Sequence, residues 1–550
     1  MALELSFLVV LCSEMRLSNY GEVLNAIIKR LIRVLLFLLS CLMIPLLRLR
    51  ALRKQRRCPP IGNKILYMSA TELAAKIRKR ELACEEVVLA YIQRCRDVDP
   101  VLNAIVEDRF DEALEEARSI DVFLKSSDKP EETLKNETPL LGVPITVKES
   151  ISLAGMSHAA GRRTKDRVLA LNDSDAVRRA KKAGAIPLLV SNTPEMCMCW
   201  ETFNNVTGTT WNPYDTNRTP GGSSGGEAAL VSSAASILSI ASDIGGSVRL
   251  PAMFCGIFGH KPTPEWIGAD GHMPDCDDPA WPAFFTMGPM VRYSEDLNLF
   301  LKVLTRSSDA VARLNEEVQL SSIKYYYMEE IGSSAVGSID GEIIRGMREF
   351  FKHLETVQGV KVQQIEIPEM TYAFEASASM LVQLDGVDTI FKKGANPREW
   401  RSVFMEFLRY ITFMSPHTFP NLVYGVLKKV GNALPRSHTK WYEKKNDLIK
   451  KRLQEILGDD GVLIFPSFTS AAHYPYEIYH KICDTTYMMI FNSIGLPVTQ
   501  CPMGLNRKGL PIGLQVVGNA GRDNLTIAVA REVERAFGGW QEPPSTEVVV

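Results

Sequence analysis

Residues 218–251 read RTPGGSSGGEAALVSSAASILSIASDIGGSVRLP. They hold two serine sites set among glycines. Ser223 and Ser224 lie between Gly221, Gly222, Gly225 and Gly226, and Ser247 follows Gly245 and Gly246. Glycine weakens helices and strand interiors alike, so this density of it marks a backbone brought close to something. Amide groups left free in such a loop can face an anion or a developing oxyanion. The stretch therefore demands a rigid scaffold around it and raises the question of what activates its serines.

The flanking sequence supplies that scaffold. Residues 140–147 (LLGVPITV) form a buried-strand signal that ends in Lys148 and Glu149. A lysine there either emerges into solvent or is buried for a purpose. A helix is expected over 176–185 and a strand over 186–190, then a helix over 227–236 and a strand over 237–241. This alternation predicts an α/β fold with a largely parallel sheet. Before it, Ser69 and Glu72 have capping-box spacing. Helices are expected to follow it, over 84–96 (with Val87, Val88, Ala90, Tyr91 and Ile92 near one face) and 108–125, and then a surface loop over 126–138. Further on, residues 462–466 read as a buried strand, 491–518 as a strand pair, and 525–537 as a closing helix. Residues 401–424 are dense in aromatic and aliphatic side chains. They suit either core or an apolar surface beside a membrane or acyl site, and core is the expectation.

Charge and cysteine content narrow the function classes. With 63 basic and 64 acidic residues the net charge is −1, which offers nothing to a nucleic acid. Eleven cysteines lack a framework spacing and suit free thiols in a reducing compartment. Cys197 and Cys199 have no partner pair and the histidines lack ligand spacing, so no metal and no cofactor are expected. Five glycosylation sequons, at Asn136, Asn172, Asn205, Asn217 and Asn524, are read as unused.

Residues 1–60 stand apart. The run at 34–47 (VLLFLLSCLMIPLL) is apolar but shorter than the roughly 20 residues of a bilayer span. It suits a tilted span, an interfacial helix or, less well, a signal-peptide core, with a buried helix as the soluble alternative. Arg48, Arg50, Arg53, Lys54, Arg56 and Arg57 follow it and would hold the remainder in the cytoplasm. The expected organisation is a membrane anchor and basic linker over 1–60 and one catalytic domain over 61–550.

Three readings of the glycine-rich stretch compete. A phosphate loop needs a Lys after its glycines, and none follows. Residues 222–226 formally match a nucleophile elbow, but the preceding residues form a polar turn rather than a strand. The third reading accounts for more positions. From Gly221 the chain satisfies G-[GAV]-S-[GS]-[GS]-G, and from Asp243 it satisfies [DE]-x-[GA]-x-S-[LIVM]-R-x-P through Pro251. By these motifs the chain resembles the amidase signature family over about residues 65–540. The apolar strand ending in Lys148, the Lys261-Pro262-Thr263 run and Gly509-Leu510-Pro511 agree with it. Within the family the likeness is to fatty-acid amide hydrolases, carried by the N-terminal apolar segment, residues 251–262 and residues 536–540. Ala228 departs from the family's frequent glycine.

The resemblance implies a large mixed, mostly parallel central sheet flanked by many helices, with an N-terminal hydrophobic helix. It also implies a Ser–cisSer–Lys triad. Ser247 is then the nucleophile, Ser223 the proton bridge and Lys148 the base. The backbone N–H groups of Ile244, Gly245, Gly246 and Ser247 form the oxyanion hole, and Asp243, Arg249 and Ser224 support the loop. Lysine is a base only when neutral. Lowering its pKa from about 10.4 to about 7 takes roughly 4 kcal/mol, and burial has the right sign. The implied activity is hydrolysis of fatty acid amides at a membrane, with a lipid amide as substrate and a homodimer left open. An amidase for small amides, a glutamine-transamidating subunit and an inactive membrane-bound scaffold are the alternatives.

Overall fold

The computed structural model describes residues 54–546, apart from 388, 394, 395, 401, 434 and 435, together with scattered positions between 27 and 49. An eleven-stranded sheet runs through it. In chain order its strands are β1 (Ile105–Asp108), β2 (Pro144–Lys148), β3 (Ile186–Ser191), β4 (Leu238–Asp243), β5 (Phe258–Lys261), β6 (Thr286–Val291), β7 (Lys324–Tyr327), β8 (Val362–Gln364), β9 (Gly461–Pro466), β10 (Val498–Leu505) and β11 (Pro511–Gly518).

The spatial order is β1-β3-β2-β4-β6-β5-β10-β11-β9-β7-β8. The sheet is mixed. Strands β3, β2 and β4 run parallel, as do β9, β7 and β8. The centre, from β4 through β6, β5, β10 and β11 to β9, is antiparallel. Every residue of β2, β3, β4, β6 and β9 is buried. Sheets covered by helices on both faces have this property, and it is why these strands read as continuous apolar runs.

The β2–β3–β4 region has the expected rhythm, with helices at Asp175–Lys182 and Gly225–Ser232. Ser69 Oγ accepts from the Glu72 N–H at 3.0 Å, as its spacing predicts. The helix Cys84–Leu102 runs past the expected end at 96 and takes Pro100 into its last turn. The residues at 87, 88, 90, 91 and 92 are all buried.

Other expectations are corrected. The stretch 126–138 contains a helix, Glu131–Glu137, of which only Leu134 is buried. It has no apolar stripe to read, and Glu131 and Glu132 favour it by sitting in its first turn. Ile105–Asp108 forms an edge strand just before the helix Phe110–Ser126. The region from 491 opens in a helix, Thr486–Ser493, that is buried all round; an apolar run without a polar face does not distinguish helix from strand.

Residues 402–424 are core only in part: Val403 and Leu422 join a buried apolar cluster, but much of the stretch is exposed. The helix Val403–Ile411 leaves Phe404 73% and Ile411 69% exposed, and Phe413 beyond it is 98% exposed. The expected N-terminal anchor falls largely outside the described residues. Among the described residues, no helix is long and apolar enough to cross a membrane.

Candidate active site

Three segments meet at the carboxyl ends of β2 and β4. Strand β2 ends in Lys148, which is fully buried. Its Nζ lies within hydrogen-bond distance of two hydroxyls, 2.7 Å from Ser223 Oγ and 3.0 Å from Ser242 Oγ, the latter near the end of β4. Lys148 does not emerge into solvent. Burial lowers its pKa from the ordinary value, opposed by the Cys197 thiol, Asp243 and Glu227 nearby.

Ser223 is held from its main chain. Its carbonyl accepts from Thr193 Oγ1 at 3.1 Å, and the Gly222–Ser223 peptide is cis. The glycines around it face protein rather than a ligand. A Cβ on Gly222 would lie 2.7 Å from the Glu201 nitrogen and 2.8 Å from the Cys199 carbonyl, and one on Gly226 would lie 2.5 Å from the Asn192 carbonyl oxygen. These contacts are with backbone, which cannot step aside. Close approach was expected, and its partners are the segments 192 and 199–202.

Ser247 follows the turn after β4. It lines the same cavity as Ser223 and makes no side-chain hydrogen bond among the described residues. Its carbonyl accepts from the Ser224 N–H at 3.3 Å. Ser224 precedes the helix Gly225–Ser232, and its hydroxyl donates to the Ser242 carbonyl at 3.4 Å.

Asp243 and Arg249 form a buried ion pair at 3.1 Å. Burial alone would raise the Asp243 pKa. The Arg249 charge and hydrogen bonds, with the Asn492 and Gly246 donors, outweigh it and hold the carboxyl well below the usual range. Asp243 also organises the loop, accepting the Gly246 N–H at 2.7 Å and the Val248 N–H at 3.1 Å. This corrects one expectation: the Gly246 N–H is committed to Asp243 and is not free for an oxyanion. The N–H groups of Ile244, Gly245 and Ser247 have no acceptor among the described residues. Gly246 is needed for another reason. Its φ is +104°, and a Cβ would lie 2.6 Å from Met488 Sδ. Gly245 is less crowded, with Met489 and Trp200 at 3.3 and 3.5 Å from a Cβ, both of which line the cavity.

The cavity is about 200 Å³. Ser223, Ser242, Ser247 and His272 supply polar groups, and Phe285, Leu381, Val423, Leu427 and Met489 are among its apolar walls. Val423 and Leu427 come from the helix Phe419–Ala433, which is tied down by Glu195. That carboxylate accepts from the Thr418 N–H at 2.7 Å and from His417 Nδ1 at 2.8 Å.

Ser242, His272, Asn492 and Trp200 were not foreseen. Trp200 Nε1 donates to the Gly245 carbonyl at 2.8 Å. Ser242 adjoins Asp243 and could have been noted as a strand-end hydroxyl, whereas His272 is a single histidine with no pattern around it. His260 does not line the cavity; it bonds Thr499 Oγ1 at 2.8 Å and Asp523 at 3.1 Å, in keeping with a structural role.

Comparison with known proteins agrees with the fold. The Amidase family model matches residues 86–527. The chain belongs to that family and is an amide-hydrolysing enzyme. Its relatives include Fatty-acid amide hydrolase 2 of Homo sapiens, 39% identical, with 88% of this chain and 92% of that one aligned. Fatty-acid amide hydrolase 2-B of Danio rerio is 36% identical over 94% of this chain and 98% of its own. Among solved structures, a fatty acid amide hydrolase superposes with a TM-score of 0.70 at 21% identity, covering 86% of each chain; at that identity the likeness shows the fold.

Proposed function

We propose that the protein hydrolyses fatty acid amides, such as N-acylethanolamines and primary fatty amides, to a free fatty acid and an amine. One observation carries the reading: a buried lysine amine 2.7 Å from Ser223 Oγ, behind an apolar cavity that Ser247 lines. The reaction needs a base, a relay and a nucleophile, and these residues fill the three roles. Neutral Lys148 takes the Ser223 proton while Ser223 takes that of Ser247. Ser247 Oγ attacks the amide carbon, and negative charge builds on the carbonyl oxygen beside the N–H groups of Ile244, Gly245 and Ser247. The proton returns through Ser223 to the leaving nitrogen, which matters because an unprotonated amide nitrogen leaves poorly. The C–N bond breaks, the amine departs, and the acyl group stays on Ser247. Water repeats the attack, releasing the acid and restoring the Ser247 hydroxyl.

The apolar walls suit an acyl chain better than a small polar amide. The exposed side chains of Phe404, Ile411 and Phe413 belong to a helix and its end that pack on the cavity-lining helix Phe419–Ala433. In this reading they rest on a lipid surface and open the cavity towards it, alongside an anchor in residues 1–60 that keeps the catalytic domain at the cytoplasmic face. Competitive hydrolysis of long-chain and short-chain amides by the purified full chain tests the substrate class. Preference for the long chain is expected; preference for a short polar amide overturns it in favour of a small-amide amidase.

A further inference from the structure

We propose that His272 is a positioning residue for this site: by accepting the Ser242 hydroxyl proton it leaves Ser242 only lone pairs to offer Lys148, so that the lysine's own lone pair faces Ser223. The inference rests on the reading of Lys148 as the base.

Each hydrogen bond in the cluster needs one donor and one acceptor, which fixes its direction. His272 Nδ1 lies 2.9 Å from the Pro274 carbonyl oxygen. A carbonyl only accepts, so Nδ1 carries the proton and Nε2 of the neutral ring is bare. Burial, then the Lys148 charge, push the His272 pKa down to about 3, against the Pro274 carbonyl and Asp275. The ring is therefore a neutral acceptor throughout the working range. It also packs on Phe285, with centroids 4.4 Å apart, which resists ring rotation.

Nε2 lies 2.9 Å from Ser242 Oγ and 3.2 Å from Ser150 Oγ. Both can only donate to it, and Ser242 is the shorter bond. Having spent its proton, Ser242 Oγ must accept from Lys148 Nζ at 3.0 Å. A neutral amine has two protons and one lone pair. With one proton committed to Ser242, the lone pair is available to the Ser223 hydroxyl at 2.7 Å, the direction in which Ser223 gives up its proton. The other titratable groups near Lys148 are Cys197, Asp243 and Glu227, and His158 lies near His272. Of these only Asp243, the next residue in the chain, adjoins Ser242, and its carboxylate is held by the Gly246 and Val248 N–H groups and by Arg249.

Without the imidazole the Ser242 hydroxyl can turn and donate into the lysine lone pair. The test uses the full chain, with fluorophosphonate labelling rates for acylation and a soluble short amide for the pH profile of kcat/KM. His272→Leu should slow labelling about tenfold, the worth of one neutral hydrogen bond, with KM unchanged. Its acidic limb should move to lower pH, because donation into the lone pair favours the neutral amine. His272→Gln, whose amide oxygen can accept, should recover most of the rate. In a Ser242→Ala background there is no hydroxyl to turn, so His272→Leu should add no further loss. A wild-type rate in His272→Leu overturns the proposal. So does a loss with an unmoved acidic limb, no recovery in His272→Gln, or full additivity with Ser242→Ala. Should His272→Leu not fold, His272→Gln decides: a rate within about threefold of wild type, less than one hydrogen bond, supports the proposal, and a larger loss overturns it. Lys148→Ala separates the two levels. If it keeps full activity the catalytic reading itself falls; if it is inactive while His272→Leu is unaffected, only the role of His272 falls.

Discussion

Lys148 Nζ lies 2.7 Å from Ser223 Oγ although 75 positions separate them in the chain. The lysine is fully buried, and burial lowers its pKa from 10.5. Below 10.5 and down to its folded value, the unfolded chain therefore binds the extra proton. Stability should rise with pH across that window and be lost as pH falls through the folded value. Activity should follow the same titration, since only the neutral amine takes a proton. We expect kcat/KM on a soluble amide to rise with pH through an apparent pKa below 10.5. Lys148→Ala should lose about 10²–10⁴-fold, the usual worth of a general base. Wild-type kinetics in that variant would remove the base from the mechanism.

Ser247→Ala should abolish both turnover and labelling by a fluorophosphonate probe. Ser223→Ala should slow labelling without abolishing it, because it removes the relay but leaves the nucleophile. Gel fluorescence with both variants checks the assignment, and undiminished labelling of Ser247→Ala would place the nucleophile elsewhere.

Gly245 and Gly246 should separate function from folding. Gly246 has φ +104° and Met488 within 2.6 Å of a Cβ, so Gly246→Ala should lower the denaturation midpoint, and trimming Met488 should not restore it, because the backbone angle remains. At Gly245 a Cβ meets Trp200 at an ordinary 3.5 Å and Met489 at a tight 3.3 Å, which that flexible side chain can relieve by a small shift. Gly245→Ala should keep its stability and lose activity by narrowing the approach to the adjacent N–H groups. Urea titrations beside rate measurements distinguish the two; equal stability losses would contradict the contrast.

The Asp243–Arg249 pair is wholly buried. Arg249→Met leaves the Asp243 charge without its partner, which in other buried pairs costs about 3–5 kcal/mol. It should also loosen the turn that presents Ser247, since Asp243 holds the Gly246 and Val248 N–H groups. A change below about 1 kcal/mol in chemical denaturation, the scale of an exposed ion pair, would show that the pair is not structural.

The apolar helix at Val403–Ile411 offers a surface prediction. Replacing Phe404, Ile411 and Phe413 with aspartate should weaken binding to phosphatidylcholine vesicles and slow hydrolysis of a vesicle-embedded long-chain amide. Hydrolysis of a soluble short amide should be unchanged, because the three side chains are exposed. Equal vesicle binding in a flotation assay would assign membrane contact to residues 1–60 alone.

Much of the site was legible before the fold. Ser223, Ser247 and the strand-end Lys148 stood out because glycine and buried lysine are each costly in regular structure, so their presence needed a reason. The strands β2, β3, β4 and β9 were legible for the same kind of reason: apolar runs bounded by turn residues leave few alternatives. The exposed helix at Val403–Ile411 was misread because apolar composition reports hydrophobicity and not what covers it. The antiparallel centre of the sheet was invisible because strand order depends on long connections rather than on local pattern.

The sequence by itself determined which residues could do chemistry and their places along the chain: two glycine-set serines, one lysine at the end of an apolar strand, an Asp and an Arg six apart. Only the tertiary structure decided their partners. It placed Ser242 and His272 behind Lys148, committed the Gly246 N–H to Asp243, and set Met488 against Gly246. Hydrogen-bond direction depends on which donor meets which acceptor within about 3 Å, and the residues that meet here come from segments far apart in the chain.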